Sequence, residues 1–109
     1  MSTTKQQPIE DVITQITAGF YGIDLEEFKK NKGRFIDHET AFKKHVCYYL
    51  IRQYTFKSYD SIAAYFQVST CAVKHGFNKV EGYLTYNSRT ITDVAKIKKL
   101  IDNFTEISS

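Results

Sequence analysis

Residues 58–84, SYDSIAAYFQVSTCAVKHGFNKVEGYL, carry the clearest structural pattern in this 109-residue chain. The stretch predicts two short helices on either side of a tight turn at residues 67–68. Ser58 can cap the first helix and Ser69 the second, because a serine hydroxyl accepts a hydrogen bond from a free amide of the first turn. In both helices the apolar residues recur at helical spacing and so mark one buried face: Ile62, Ala63, Phe66, Val73, Phe77, Val80 and Leu84.

The rest of the sequence repeats the same helical spacing. A first helix is expected from Pro8 to a stop at Gly22, and a short second helix after a cap at Asp24. NKGRFID, residues 31–37, is expected to be a loop, with Asp37 capping a long central helix. A last break at TYNSRT, residues 85–90, precedes a closing helix. The expected buried stripes are Ala41, Phe42, His45, Val46, Tyr49, Leu50 and Tyr54 in the central helix, and Ile91, Val94, Ile97, Leu100, Ile101 and Phe104 in the closing one.

The helical periods predict an all-α fold of about six helices, and composition agrees with a single domain. Hydrophobic residues make up 42% of the chain, enough for a single core at this length, and there is only one proline. We expect residues 1–7 to be a flexible N-terminus and residues 8–106 to form the domain. The two cysteines do not make a disulfide framework, and no segment resembles a signal peptide or a membrane span, so a cytoplasmic protein is expected.

The net charge of +3 is unevenly distributed. Residues 29–79 hold ten Lys or Arg against three acidic residues, whereas the rest holds five against nine. An anionic partner is therefore expected at the middle of the chain.

The second helix of residues 58–84 carries polar side chains at the positions that its apolar face leaves free. In a helix-turn-helix the second helix enters the major groove of duplex DNA, where short polar groups and lysines contact base edges and phosphates. The alternative is an ordinary solvated helix face. The candidate reading residues are Ser69, Thr70, Cys71, Lys74, His75, Asn78 and Lys79.

A second basic group precedes the central helix. Long cationic side chains around Gly33 could follow the DNA backbone, since glycine gives the loop local freedom. A solvated loop is the alternative here. The candidate backbone-contacting residues are Lys29, Lys30, Lys32 and Arg34, with Lys43 and Lys44 early on the central helix.

Other chemistries have weaker support in the sequence. Cys71 and His75 have a metal-ligand spacing, but no second pair accompanies them, and no third group completes a catalytic set. Neither glycine-rich phosphate motif occurs. His45 is expected to be a core histidine or one that faces a phosphate. The tyrosines are expected to be core residues, and a platform for stacking single-stranded bases is the less favoured alternative. We expect no enzyme activity, no cofactor and no metal.

Three segments resemble the C-terminal DNA-binding domain of the bacterial replication initiator DnaA: PIEDVITQITAGFYGIDLEEFKK (8–30), VCYYLIRQYTFKSYDSIAAYF (46–66) and VKHGFNKVEGYL (73–84). The last is similar to the family's V-x-H-A-x-x-K-I-E-x-L. The resemblance implies a Trp-repressor-like helix-turn-helix, with a basic loop in the minor groove and a recognition helix in the major groove. By position, Lys30, Lys32 and Arg34 match that loop, and Lys74, His75, Asn78 and Lys79 match that helix.

The sequence departs from the family where the recognition helix begins. The family's Gly-Gly-Arg-Asp-His-Thr-Thr is replaced by the shorter QVSTCA of residues 67–72, so Ser69, Thr70 and Cys71 stand where Asp-His-Thr reads the initiator's box. Asp37 and Glu39 lie near the place where the family has more arginines.

We therefore expect a sequence-specific double-stranded DNA-binding protein without the initiator's ATPase module, acting in replication or transcription. Its expected partners are double-stranded DNA and replication or regulatory proteins. We expect no membrane association and a location in the nucleoid. The alternative is a protein-interaction adaptor of the same fold that has lost specific DNA readout. The target sequence and the oligomeric state stay open.

Overall fold

The computed structural model describes residues 8–29 and 38–108. The described residues form six helices: α1 (Ile9–Tyr21), α2 (Leu25–Lys29), α3 (His38–Thr55), α4 (Tyr59–Phe66), α5 (Thr70–Tyr83) and α6 (Ser88–Ser108). This confirms the all-α class and the expected order of elements. The expected flexible N-terminus, the loop over residues 31–37 and the cap at Asp37 lie outside the described residues.

Local sequence signals set the ends of the first two helices as expected. α1 ends at Gly22, whose φ of 70° is left-handed, and the amide of Ile23 bonds back to the carbonyl of Ala18 at 2.9 Å. Asp24 Oδ2 accepts hydrogen bonds from the amides of Glu26 and Glu27 at the start of α2. Phe28 of α2 is buried in the core.

α3 is the central helix and is buried on more than one face. Val46, Cys47, Tyr48, Tyr49, Leu50 and Ile51 are all buried, because α1, α4, α5 and α6 surround this part of α3. The expected stripe was therefore too narrow: Cys47, Tyr48 and Ile51 lie outside it. Single-face periodicity fails where a helix has neighbours on several sides.

α6 runs across α1 and α3 and is tied to both by phenol hydroxyls. Tyr21 Oη donates to Asp93 Oδ2 and Tyr54 Oη donates to Asp102 Oδ1, each at 2.9 Å. Burial and the Asp93 carboxylate both raise the pKa of Tyr21, so this phenol keeps its proton. α6 is thereby held along the side of the bundle.

The sequence placed the start of α6 three residues too late. The helix begins at Ser88, since Asn87 Oδ1 accepts from the amide of Thr90 at 2.9 Å and also from its hydroxyl. Thr90, expected in the break, is fully buried. The expected stripe on α6 was also partly wrong. Val94, Ile97 and Ile101 are buried, but Ile91, Leu100 and Phe104 are each 44% exposed.

Candidate nucleic-acid interface

The turn between α4 and α5 is closed by backbone and capping hydrogen bonds. Ser58 Oγ accepts from the amide of Ser61, and Ser69 Oγ accepts from the amide of Ala72, both at 3.1 Å. Gln67 ends α4 in the left-handed conformation with a φ of 59°, and the amide of Val68 bonds to the carbonyl of Ala63 at 3.0 Å. Both serine caps expected from the sequence are confirmed, and the break between the helices is only residues 67–69.

α5 divides into a buried face and an exposed face. Val73, Gly76, Phe77 and Val80 face the core, with Phe77 stacked on Tyr49 at a centroid distance of 5.2 Å. The exposed side carries every candidate reading residue: Ser69, Thr70, Cys71, Lys74, His75, Asn78 and Lys79. The structure thus brings these seven residues together on one outward surface, which we call the reading face.

Two residues of the reading face are already engaged inside the protein. The Ser69 hydroxyl caps α5, and Thr70 Oγ1 donates to Asp60 Oδ1 of α4 at 2.6 Å. The polar groups open to a partner are therefore further along the helix, from Cys71 to Lys79. Sequence reasoning missed Asp60, since a pairing across the turn leaves no local signature in the sequence.

Positive charge is unneutralised on the reading face. Within residues 8–29 and 38–108, Lys74 and Lys79 are exposed and form no ion pair. Other cations differ among themselves: Lys57 pairs with Glu10 at 3.5 Å and Arg89 forms a two-point pair with Glu39. Lys96 and Lys99 of α6 are, like Lys74 and Lys79, exposed and without an ion pair to any described residue. Free lysines on one side of a helix form a surface suited to an anionic partner.

A cleft of about 90 Å³ lies beside the reading face, where α3 meets the second half of α5. His45 of α3 lines it and lies perpendicular to the His75 ring at a centroid distance of 6.3 Å. Burial, together with the nearby Lys79 and His75, lowers the pKa of His45 to about 4, so this ring is neutral at physiological pH. The full lining is His38, Ala41, Phe42, His45, Lys79 and Tyr83.

The three candidate backbone-contacting residues that the structure describes have different environments. Lys29 stands over the Tyr65 ring at 4.8 Å, and Lys43 pairs with Glu39 at 3.9 Å while lying over the Tyr21 ring. Lys44 is only 4% exposed and is therefore left out of the interface that we propose below. The remaining three, Lys30, Lys32 and Arg34, lie outside the described residues.

The two cysteines have opposite environments. Cys47 is fully buried, and burial raises the pKa of its thiol to about 12, whereas Cys71 is exposed on the reading face. Over the described part of the chain, no three His, Cys, Asp or Glu side chains come close enough to hold a metal ion. None of the helices described has the length and apolar character needed to cross a membrane.

Comparison with known families matches the bacterial DnaA helix-turn-helix to residues 10–80 of this chain, well over half of its length. The chain belongs to this family. The match begins in α1 and ends within α5, so it contains all of α4, the turn at residues 67–69 and most of α5. No individual curated protein matches the chain significantly.

Membership in the DnaA helix-turn-helix family makes this a DNA-binding type of domain. The resemblance noted from the three sequence segments is confirmed. The last part of α5 and all of α6 lie beyond the matched residues. That unmatched part includes Tyr83, which lines the cleft beside the reading face.

Proposed function

We propose that this protein binds double-stranded DNA sequence-specifically, with α5 in the major groove, and that it has no enzymatic activity. The observation that carries the proposal is the reading face, on one side of the second helix of a helix-turn-helix. It holds exposed polar groups and two lysines that form no ion pair with any residue the structure describes. Lysines there would neutralise phosphates, and Asn78 and His75 would hydrogen-bond base edges.

The replaced start of the recognition helix supports a target other than the initiator's box. Ser69 and Thr70, which stand in place of family reading residues, use their hydroxyls within the protein. Readout would then shift toward Cys71, His75 and Asn78. No ATP-dependent step would involve these residues. The protein would act on the nucleoid, in replication or transcription.

The proposed backbone contacts come from the basic segment before α3. Lys30, Lys32 and Arg34 would follow the minor groove while α5 occupies the major groove, with Lys29 at the base of the segment. Lys30, Lys32 and Arg34 with Lys74 and Lys79 give about five phosphate contacts, so log affinity should fall with log salt at a slope near −4.5. A fourfold rise in salt would weaken binding by about 500-fold.

The deciding experiment selects random duplex DNA with the purified protein at two salt concentrations and sequences the bound pool. Enrichment of a motif supports the proposal and identifies the target. Retention of DNA without any motif would contradict sequence-specific readout, and absence of retention at low salt would contradict DNA binding.

A pair of charge reversals tests the assignment of residues. Lys74→Glu combined with Lys32→Glu should abolish the gel shift of the selected duplex while the circular dichroism spectrum stays unchanged. Lys96→Glu combined with Lys99→Glu, on the exposed side of α6, makes the same change in net charge away from the reading face and should weaken binding far less. Equal losses in the two double variants would contradict the assignment.

The adaptor alternative has one observation of its own. Phe56 is 84% exposed and Tyr86 is 71% exposed, and both lie in turns outside the reading face. Exposed aromatic rings are the side chains that most often anchor protein interfaces. Phe56→Ser and Tyr86→Ser should leave DNA binding intact under the main proposal, whereas an adaptor would lose its partner.

A further inference from the structure

Gly76 lies on the buried side of α5 at the point where this helix crosses α3. A Cβ atom at this position would lie 2.5 Å from Cδ2 and 2.8 Å from Cγ of the His45 ring, and 3.1 Å from Cδ2 of Tyr48. Distances below 3.0 Å are essentially never seen for real Cβ atoms. Residue 76 can therefore be glycine and nothing larger while His45 keeps its place.

The other helical glycines show that this is a specific relationship. A Cβ atom at Gly19 or Gly82 would meet nothing within 4 Å. Glycine in a helix costs about 0.5 to 1 kcal/mol relative to alanine, so a buried helical glycine without a packing reason would be a net loss. At Gly76 the packing reason is the His45 ring.

His45 lies next to two residues of the reading face, so its position affects theirs. Its ring lies between Tyr48 of its own helix, at a centroid distance of 5.9 Å, and His75 of α5, at 6.3 Å. Lys79, one turn further along α5, lines the same cleft as His45. Both exposed residues on this edge of the reading face thus border the imidazole ring that fixes how close α5 comes to α3.

We propose that His45 and Gly76 are a matched pair that sets the placement of α5 against α3 and thereby positions His75 and Lys79 for DNA. His45 is in this proposal a positioning residue that touches no base. The inference rests on the proposed function, because it says how the reading face is held for the duplex. The aromatic ring at position 45 and the absence of a side chain at position 76 depend on each other, so a change at one position requires a change at the other.

The test is a double-mutant cycle on the duplex that the wild-type protein selects. Gly76→Ala should weaken binding by about tenfold or more, since a recognition element displaced by even half an ångström loses its hydrogen-bond geometry. His45→Ala should weaken it a few-fold by leaving space that α5 can settle into. The double variant should recover most of the loss, because removing the ring makes room for the new methyl group.

A matched control separates packing from helix propensity. Gly19→Ala, in α1, makes the same substitution at an exposed helical glycine with open space and should leave DNA affinity unchanged. Urea unfolding of every variant is followed in parallel, and affinity is measured only where the protein is fully folded. A role limited to stability would change the unfolding midpoint without changing affinity or the selected motif.

The outcomes divide clearly. Recovery in the double variant, or a Gly76→Ala protein that selects an altered motif, supports the matched pair. A folded Gly76→Ala protein that binds like wild type overturns it, and so does a double variant that binds no better than Gly76→Ala. Should Gly76→Ala not fold, the double variant decides: folding and binding supports the pair, while failure to fold or to bind overturns it.

Failure of this inference is distinguishable from failure of the proposed function. If the wild-type protein retains no duplex DNA, the proposed function is wrong. The same four proteins then still show, by their coupling in unfolding free energy, whether His45 and Gly76 depend on each other. If the wild type binds and the cycle shows no coupling in affinity, only the matched pair is wrong.

Discussion

Thr70 Oγ1 donates a 2.6 Å hydrogen bond to Asp60 Oδ1, joining the first residue of α5 to the first turn of α4. The Asp60 carboxylate therefore lies at the positive ends of two helices, where a negative charge is stabilising. The same charge repels a phosphate that approaches the start of α5. The Asp60 side chain thus stabilises the fold but disfavours DNA binding at the N-terminal end of the reading face.

Asp60→Asn should separate these two effects. We expect the free energy of unfolding to fall by about 0.5 to 1 kcal/mol, because two helix ends lose a favourable charge. Affinity for duplex DNA should rise by roughly threefold, since one repulsive charge near the phosphates is removed. Urea unfolding and fluorescence anisotropy with labelled duplex measure the two quantities.

Asp102→Asn is the matched control for Asp60→Asn, as it removes an exposed carboxylate of α6 that also accepts one side-chain hydrogen bond. It should leave DNA affinity close to that of wild type. Tighter binding in both variants alike would mean that net charge, not the position of Asp60, governs affinity.

Lys79 and Asn78 are neighbours on the reading face for which we predict different roles. Lys79→Ala should weaken binding to all duplexes similarly and reduce the salt slope by about 0.9, because one phosphate contact is lost. Asn78→Ala should cost about 1 to 3 kcal/mol on the selected sequence and little on random DNA, because a base contact is lost. Titrations of both duplexes at several salt concentrations make the comparison, and a uniform effect of Asn78→Ala would disprove its role in readout.

The two cysteines should react at very different rates. Cys71 is exposed, whereas Cys47 is buried and the raised pKa of its thiol keeps it protonated, so only one thiol should react with Ellman's reagent in the native protein and both after denaturation. Alkylation of Cys71 with N-ethylmaleimide should then weaken DNA binding roughly tenfold or more. The adduct would project from the reading face.

Cys71→Ser provides the control for alkylation. This variant should bind duplex DNA with or without prior treatment, because its only remaining thiol is buried. An alkylated wild-type protein that binds as well as the untreated one would remove Cys71 from the interface.

His45 predicts a loss of stability in mild acid. Its pKa is lowered from the ordinary 6.5 to about 4 by burial first and then by Lys79 and His75, so the folded state favours the neutral ring. The unfolded chain binds this proton more readily, and stability is therefore full above pH 6.5 and declines as pH falls toward 4. Because the ring borders an open cleft, solvent reduces the effect. We expect the free energy of unfolding to fall by about 1 to 2 kcal/mol over this pH range.

His45→Gln should remove this part of the pH profile, and the difference from wild type isolates it from the titration of carboxylates. Urea unfolding between pH 4 and 6.5 measures the profiles. His38→Gln, an exposed position at the start of α3, serves as the control and should follow wild type. Parallel profiles for wild type and His45→Gln would contradict the predicted role of His45.

Most helix boundaries were accessible from the sequence because they depend on local chemistry. A serine cap depends only on backbone amides within the next turn, and a glycine stop depends only on the φ angle of that glycine. Ser58, Ser69 and Gly22 could therefore be identified by inspection. The start of α6 was missed for a related reason. Asn87 lies within the polar stretch that predicts a break, although an asparagine before a helical pattern is also a cap.

The all-α class, the helix-turn-helix and the polar side of α5 can be predicted without a structure, because they depend on spacing and on neighbours a few residues away. Three features are visible only once the helices are packed: the hydrogen bond of Thr70 to Asp60, the burial of Lys44, and the space that Gly76 leaves for His45. Such contacts join residues from different helices. Their distances follow from how the helices cross, and helical periodicity carries no information about crossing.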